Sequence, residues 1–162
     1  MVKISIEGFG DITLELDSEN APITVANFEK LAKEGFYDGL TFHRIYKGFM
    51  IQGGCPLGNG TGGSKETIKG EFLANGVANK ISHLRGTISM ARSQNPNSAS
   101  SQFFICDADA TFLDGQYAAF GKVTDGFDVL DKVASVEVMP NPYTGEVSNP
   151  VTQPVITKIT VE

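Results

Sequence analysis

The segment Thr41–Gly54, T-F-H-R-I-Y-K-G-F-M-I-Q-G-G, decides the fold of this chain. Residues 42–46 are rich in the aromatic and β-branched types of a strand, a central glycine interrupts the strand, and residues 49–52 resume it. These strands carry one guanidinium, Arg44, and one amide, Gln52, beside aromatic and aliphatic side chains. An apolar floor with a few directed polar groups is typical of peptide and small-molecule sites. Taken alone, an edge strand with one solvated arginine is the simpler interpretation.

The composition is that of an ordinary globular protein. The 162 residues are 41% hydrophobic and 20% charged, which fits one core, and we treat 1–162 as a single domain. The net charge of −6 and the scattered lysines and arginines argue against nucleic acid or anionic membrane as partners. No apolar run has the length of a membrane span, and the first residues lack a signal-peptide core. The expected location is the cytoplasm.

The histidines predict no metal site, and the surroundings of the cysteines favour an inert thiol over a redox role for Cys55. Cys106 follows apolar residues and is interpreted as a small buried hydrophobe, whereas Cys55 lies among glycines, which predicts an exposed and inert thiol. Neither His43 nor His83 lies at metal-ligand spacing from another ligand residue. We interpret His43 as a hydrogen-bonded structural histidine and expect neither a metal nor a cofactor.

Local patterns predict a mainly β chain with two helices. Alternation over residues 4–16 predicts an antiparallel hairpin with one buried face. Helical spacing after Pro22 predicts an amphipathic helix of about three turns, closed by Gly35. Further strands are predicted at 86–91, 101–106 and 117–123, and a short helix follows Gly126.

The remaining segments predict loops and one last strand. Residues 53–63 contain a G-x-G-x-x-G pattern, but no helix follows it and the Walker order fails, so we interpret a surface loop. Four prolines between 140 and 154 predict a loop-rich return to a final strand in which Val155, Ile159 and Val161 share a face. Many short strands and two helices predict a closed or nearly closed antiparallel barrel.

The nucleophile motifs of common hydrolases are absent, since the chain has neither a G-x-S-x-G elbow nor a cysteine-protease context. A site of aromatic and aliphatic residues with one arginine and one glutamine binds and orients a ligand. It does not obviously move protons.

Taken in order, the motifs F-H-R-I with G-F-M-I-Q-G-G, G-N-G-T-G-G, S-M-A, S-Q-F-F-I, F-L-D-G and F-G-K-V resemble the cyclophilin family of peptidyl-prolyl cis-trans isomerases. Each motif is weak alone, but the ordered set is specific and spans essentially the whole chain. The resemblance implies a closed eight-stranded antiparallel β-barrel capped by two α-helices, with the peptide groove outside. It also implies isomerase activity without a cofactor, on proline-containing peptides and on unfolded or folding proteins, by a monomer.

The resemblance assigns roles residue by residue. It implies that Arg44 is the catalytic arginine and that Gln52 binds substrate backbone and orients that arginine. The substrate-binding residues that it implies are Phe49, Met50, Ala91, Arg92, Gln102, Phe104, Phe112, Leu113 and Tyr117. Arg92 replaces a frequent Asn whose main chain bonds the peptide, Phe112 replaces a frequent Trp, and Tyr117 replaces a frequent His. The main-chain contact survives the change at Arg92, whereas the changes at Phe112 and Tyr117 imply weak cyclosporin binding and altered substrate preference, with isomerase activity intact.

Two other functions remain open at this point. One is a proline-peptide binding or chaperone module without useful catalysis, and the other is a purely structural barrel. The presence of Arg44, Phe49, Gln52 and Phe104 together favours the enzyme, and a structural barrel would leave the arginine and glutamine unexplained.

Overall fold

The computed structural model describes all 162 residues and is built around one eight-stranded antiparallel sheet. The strands are β1 (Val2–Ile6), β2 (Gly10–Leu16), β3 (Phe42–Tyr46), β4 (Met50–Gly53), β5 (Thr87–Met90), β6 (Phe103–Cys106), β7 (Ala119–Asp125), β8 (Val138–Pro140), β9 (Val147–Pro150) and β10 (Ile156–Val161). The helices are α1 (Pro22–Lys33) and α2 (Phe127–Ala134), with single 3₁₀ turns at Leu73–Asn75 and Thr111–Leu113. The order in the main sheet is β10-β1-β2-β7-β5-β6-β4-β3, and β8 pairs only with β9. The predicted hairpin, both helices and the central strands are therefore confirmed.

The main sheet is an open half-barrel, so the prediction of a closed barrel is wrong. Its edge strands, β3 and β10, do not pair with each other along their lengths. Only a single bridge, between Thr41 and Val155, joins the two edges. A longer ladder is interrupted there because Pro154 has no N–H to donate. Hairpin β8–β9, in the segment predicted as a loop-rich return, packs against β3 instead.

Strands β4 and β6 have two apolar faces, and this places the site. Ile51 and Phe103 point into the main core, where both are completely buried. On the opposite face, Met50, Phe104 and Cys106 form a second, smaller cluster with residues of the Ala110–Leu113 segment. Successive side chains of a strand point to opposite faces, so the same two strands hold the core together and line a surface pocket.

The last strand has a different register from the predicted one. The prediction placed Val155 on the same face as Ile159, but Ile156 and Ile159 are the buried pair. A β-bulge opposite the Ser5–Ile6 step inserts Thr157 as an extra residue. A bulge adds one residue to a strand without a partner, and a strict period of two cannot detect it.

The N-terminus of α1 is capped by a distant carboxylate. Its own N-cap residue, Ala21, has no side chain that can accept a hydrogen bond. Glu71 lies 47 residues away from Thr24 in sequence and accepts hydrogen bonds from the N–H and the hydroxyl of Thr24, both at 2.6 Å, and from the N–H of Ile23 at 3.2 Å. Glu71 is only 2% exposed. It satisfies the free N–H groups of the first turn, where a negative charge is also favoured.

The two helices cover the core side of the sheet. Phe28 of α1 packs edge-on against Phe103 and in tilted contact with Tyr37 and Phe120, with ring centroids 5.2–5.5 Å apart. The backbone of α1 lies against β10, whereas α2 contacts β2, β3 and β4. Gly35 ends the first helix with a φ of 75°, a conformation that favours glycine. Neither helix is long and apolar enough to cross a membrane.

We predict that Glu71→Ala destabilises the fold by about 2–3 kcal/mol, because it leaves buried N–H and hydroxyl donors without a partner. Urea unfolding followed by circular dichroism measures this loss. Glu66→Ala is the matched control, since Glu66 is exposed and its carboxylate has no hydrogen-bond partner. Equal free energies of unfolding for the two variants would contradict the capping role.

Candidate active site

An apolar pocket of about 160 Å³ opens on the outer face of β4 and β6. It is lined by Arg44, Phe49, Met50, Gln52, Ala91, Arg92, Phe104, Leu113 and Tyr117. These are nine of the eleven residues that the sequence predicts for the site. The other two adjoin it: Gln102 bonds to Gln52, and Phe112 stacks on Phe49. The structure thus brings all eleven together, from segments that span residues 44 to 117.

The pocket floor follows from strand alternation and one short turn. Met50 and Phe104 project outward from β4 and β6, and Leu113 closes the floor from the Thr111–Leu113 turn. The ring of Tyr117 meets the edge of Phe104 at 5.9 Å. Phe112 is 72% exposed, and its ring lies over Phe49 at 5.7 Å. The floor is therefore buried, while Phe112 lies at the outer rim.

A chain of hydrogen bonds crosses the groove beside the pocket. The Nη1 of Arg44 donates to the Oε1 of Gln52 at 3.2 Å, and the Nε2 of Gln52 donates to the Oε1 of Gln102 at 3.0 Å. The Nε2 of Gln102 in turn donates to the carbonyls of Gly60 and Gly62, at 2.9 and 2.7 Å. The glycine-rich loop is thereby tied to the arginine. The groove continues along this loop as a polar cleft of about 460 Å³.

The strongest partner of Arg44 was not predicted. Glu146, in the turn of the β8–β9 hairpin, accepts from the Nε of Arg44 at 2.7 Å and from its Nη2 at 2.9 Å. Ser148 donates its hydroxyl to the same carboxylate at 2.6 Å. The bonds from Arg44 hold the pKa of Glu146 below its usual range. The pair is 102 residues apart in sequence, and a glutamate within a proline-rich loop is ordinarily a solvated charge.

His43 lies behind Arg44 without the hydrogen bond that the sequence predicts. Its Nδ1 is buried and has no hydrogen-bond partner within the chain, so that prediction is wrong. Burial and, to a smaller degree, the charge of Arg44 lower the pKa of His43 to about 4. The ring is therefore neutral at pH 7 and leaves Arg44 as the only cation at this point of the groove.

A buried network supports the pocket from below. The Nδ1 of His83 bonds to the Oδ1 of Asp114, and its Nε2 bonds to the Oγ of Ser89, both at 2.9 Å. The imidazole stacks on Phe104 with ring centroids 6.0 Å apart. The order Ser–His–Asp is that of a hydrolase triad, but Ser89 and His83 are completely buried, so no substrate reaches the hydroxyl. We interpret the network as a support for the ring of Phe104.

Arg92 forms one wall of the groove. Its guanidinium lies between the rings of Phe72 and Tyr117, at 4.9 and 4.8 Å, and donates to the carbonyl of Gln116 at 2.7 Å. Its backbone N–H makes no hydrogen bond within the chain. The side chain is therefore occupied with the wall, while the main chain is free to bond a ligand.

The two cysteines are both free and both buried. Burial of Cys106 confirms the prediction and raises the pKa of its thiol to about 12. The prediction that Cys55 is exposed is wrong, since only 1% of it is accessible. The glycine-rich loop folds over this thiol, and the N–H of Gly62 donates to its sulfur at 3.3 Å. No group of three or more His, Cys, Asp and Glu side chains is placed to hold a metal ion.

Because its pKa is lowered in the folded state, His43 makes stability depend on pH. In the unfolded chain His43 binds a proton below about pH 6.5, whereas in the folded chain it binds one only below about pH 4. The free energy of unfolding therefore falls as the pH falls through this window. At pH 5 the loss due to His43 is about 2 kcal/mol. We predict that His43→Gln, which cannot titrate, reduces the fall in unfolding free energy between pH 7 and 5. Urea unfolding at both pH values tests this, and an unchanged fall would contradict it.

Comparison with known proteins assigns the family. Residues 1–161 match the family model described as "Cyclophilin type peptidyl-prolyl cis-trans isomerase/CLD". The chain is 49% identical over 132 residues to a peptidyl-prolyl cis-trans isomerase of Helicobacter pylori (strain J99), covering 80% of this chain and 78% of the relative. It is 48% identical over 134 residues to peptidyl-prolyl cis-trans isomerase B of Bacillus subtilis, covering 83% and 90%.

A solved structure supports the same assignment. A cyclophilin type peptidyl-prolyl cis-trans isomerase of Cryptosporidium parvum, crystallised in the presence of the dipeptide Ala-Pro, superposes with a TM-score of 0.86. It is 32% identical, and the match covers 99% of this chain and 98% of that one. Sequence, fold and pocket agree, and this chain therefore belongs to the cyclophilin family and is a peptidyl-prolyl cis-trans isomerase.

Proposed function

We propose that Arg44 catalyses rotation of the Xaa-Pro bond while the apolar pocket holds the proline ring. The observation that carries the proposal is the position of Arg44 between a polar chain and the pocket. Three of the five N–H groups of its guanidinium are bonded to Gln52 and Glu146, which leaves two without a partner in the chain. The same side chain lines the pocket.

The chemistry needs only a well-placed donor. Amide resonance gives the bond a rotational barrier of roughly 18–20 kcal/mol, and uncatalysed exchange of Xaa-Pro takes tens to hundreds of seconds. At the twisted midpoint the resonance is lost and the lone pair returns to the prolyl nitrogen. An N–H of Arg44 directed at that nitrogen stabilises the twisted state more than either planar isomer. Arginine suits this role because it is permanently charged and its donors are directional.

The rest of the groove binds the substrate peptide and orients it. Met50, Phe104 and Leu113 contact the proline ring, which has the same shape in both isomers and in the twisted state. Gln52 and Gln102, together with the main chain at Ala91 and Arg92, bind the peptide backbone. Contacts that are equal in the cis, trans and twisted states give affinity without lowering the barrier. We therefore attribute the acceleration to Arg44.

The substrates that we propose are proline-containing peptides and unfolded or folding proteins. The similar protein crystallised in the presence of Ala-Pro supports this choice, since its match covers 99% of this chain. We propose that the protein acts as a monomer, because a single chain supplies every residue that lines the pocket. We further propose a cytoplasmic location, because two free thiols suit a reducing compartment.

We predict that Arg44→Ala lowers kcat/KM for an Xaa-Pro peptide by about a hundredfold or more, the usual effect of removing a preorganised donor. Arg44→Lys should also have a low kcat/KM, because the compact charge of an ammonium does not reproduce the planar, directed N–H donors of a guanidinium. An isomerase assay with circular dichroism as a check on folding measures both. Arg85→Ala is the control, since Arg85 pairs with Asp131 on the surface. A folded Arg44→Ala protein with wild-type turnover would refute the mechanism.

We predict weak inhibition by cyclosporin, because Phe112 offers an apolar rim without the indole N–H that many family members have. A hydrogen bond missing from an interface costs about 1–3 kcal/mol, or roughly ten- to a hundredfold in affinity. Phe112→Trp should therefore lower the inhibition constant about tenfold and leave kcat/KM within about twofold of the wild-type value. Inhibitor titration in one isomerase assay compares the two proteins. Phe112→Leu controls for size, and equal constants for the phenylalanine and tryptophan forms would show that the donor is unimportant.

A further inference from the structure

We infer that Glu146 is a positioning residue for the isomerase reaction, which sets the orientation of the Arg44 guanidinium. The inference deepens the proposed function and rests on the catalytic role of Arg44. The β8–β9 hairpin, which lies outside the main sheet, therefore contributes a residue to the active site.

Glu146 binds the Arg44 guanidinium through two hydrogen bonds. Glu146 uses both carboxylate oxygens, one for Nε and one for Nη2 of Arg44, at 2.7 and 2.9 Å. Two parallel charge-assisted bonds fix both the position and the plane of a guanidinium. Without Glu146 the only side-chain acceptor left for Arg44 is Gln52, through a single bond of 3.2 Å. A side chain of four rotatable bonds that is 36% exposed would then have considerable freedom.

Glu146 approaches Arg44 from outside the apolar pocket. The carboxylate lies in a separate cleft of about 440 Å³, between the hairpin and Asn59–Gly60 of the glycine-rich loop. It is not among the residues that line the apolar pocket, although Arg44 lines both. A peptide can therefore fill the apolar pocket while the ion pair stays intact. This arrangement fits a residue that holds the arginine for the substrate, and it does not fit a residue that blocks the substrate.

Glu146 is itself held in place by hydrogen bonds within the hairpin turn. Ser148, which is only 1% exposed, donates its hydroxyl to the Oε1 of Glu146 at 2.6 Å. The turn is closed by a 2.7 Å bond from the N–H of Asn141 to the carbonyl of Glu146. The side chain of Asn141 accepts from the N–H groups of Tyr143 and Thr144. The carboxylate thus lies on a preorganised turn. Because the ion pair joins it to Arg44, the turn also fixes the orientation of the guanidinium.

The test is a double-mutant cycle on kcat and KM, measured by exchange NMR on an Xaa-Pro peptide. We expect Glu146→Ala to lower kcat about ten- to a hundredfold, the scale of one lost charge-assisted hydrogen bond, with KM within about twofold. Glu146→Gln keeps the size of the side chain and one acceptor oxygen. Its kcat should therefore lie between those of the wild type and of Glu146→Ala. Glu137→Ala is the matched control, since this exposed glutamate precedes β8 and makes no side-chain hydrogen bond. In an Arg44→Ala background, Glu146→Ala should cause no further loss.

A second readout follows the arginine directly. In ¹⁵N NMR spectra the Nε–H signal of Arg44 should be sharp and slow to exchange with water in the wild-type and Glu137→Ala proteins. It should broaden or exchange rapidly in Glu146→Ala. A purely structural role for Glu146 would lower stability without this selective change.

The outcomes are distinct. Unchanged or raised kcat in both Glu146 variants, with Arg44→Ala inactive, overturns the positioning role and leaves the proposed function standing. An equal loss from Glu146→Ala in the presence and absence of Arg44 also overturns it, because the glutamate would then act through the fold. Full activity of Arg44→Ala would refute the proposed mechanism and this inference together.

Discussion

The alternation of side chains along β4 and β6 is the constraint on which both the core and the groove depend. Phe103 meets the rings of Phe28, Tyr37 and Phe42 inside the sheet, and its neighbour Phe104 forms the floor of the pocket outside. A slip of one residue would exchange the two faces and destroy both. The aromatic core therefore fixes the register, and the register in turn fixes the pocket. Stability and binding are two results of the same strand pairing.

The groove separates binding from acceleration. Its apolar floor recognises a ring that is common to all states of the substrate, and its one cation acts on the atom that changes. Arg44 suits this division because Gln52 and Glu146 hold three of its donors and leave two for a ligand. Burial keeps His43 neutral beside it, and His83 supports Phe104 from below. The polar groups orient one another, and no proton has to move for the reaction.

Much of this could be predicted from local sequence. Local patterns predicted the first hairpin, both helices and the central strands, and the ordered motifs pointed to all nine residues that line the pocket. Contacts between distant segments could not be predicted, because nothing in the local pattern encodes them. In sequence, Glu71 and Glu146 are both typical of solvated carboxylates. In the structure Glu71 caps helix α1, and Glu146 binds Arg44. The burial of Cys55 depends on how a glycine-rich loop folds back, and the open sheet depends on how the segments around Thr41 and Pro154 meet, where only one bridge forms.

The central claim is that the pocket treats both isomers alike while the site lowers the barrier between them. Line-shape NMR on an Ala-Pro peptide tests this most directly, since it yields separate Kd values for the cis and trans forms and the rate of rotation on the enzyme. We predict that the two Kd values lie within a few-fold of each other and that rotation of the bound peptide is far faster than in the free peptide, where it takes tens to hundreds of seconds. Tight binding of one isomer, with bound rotation no faster than in solution, would contradict it and identify a proline-peptide binding module.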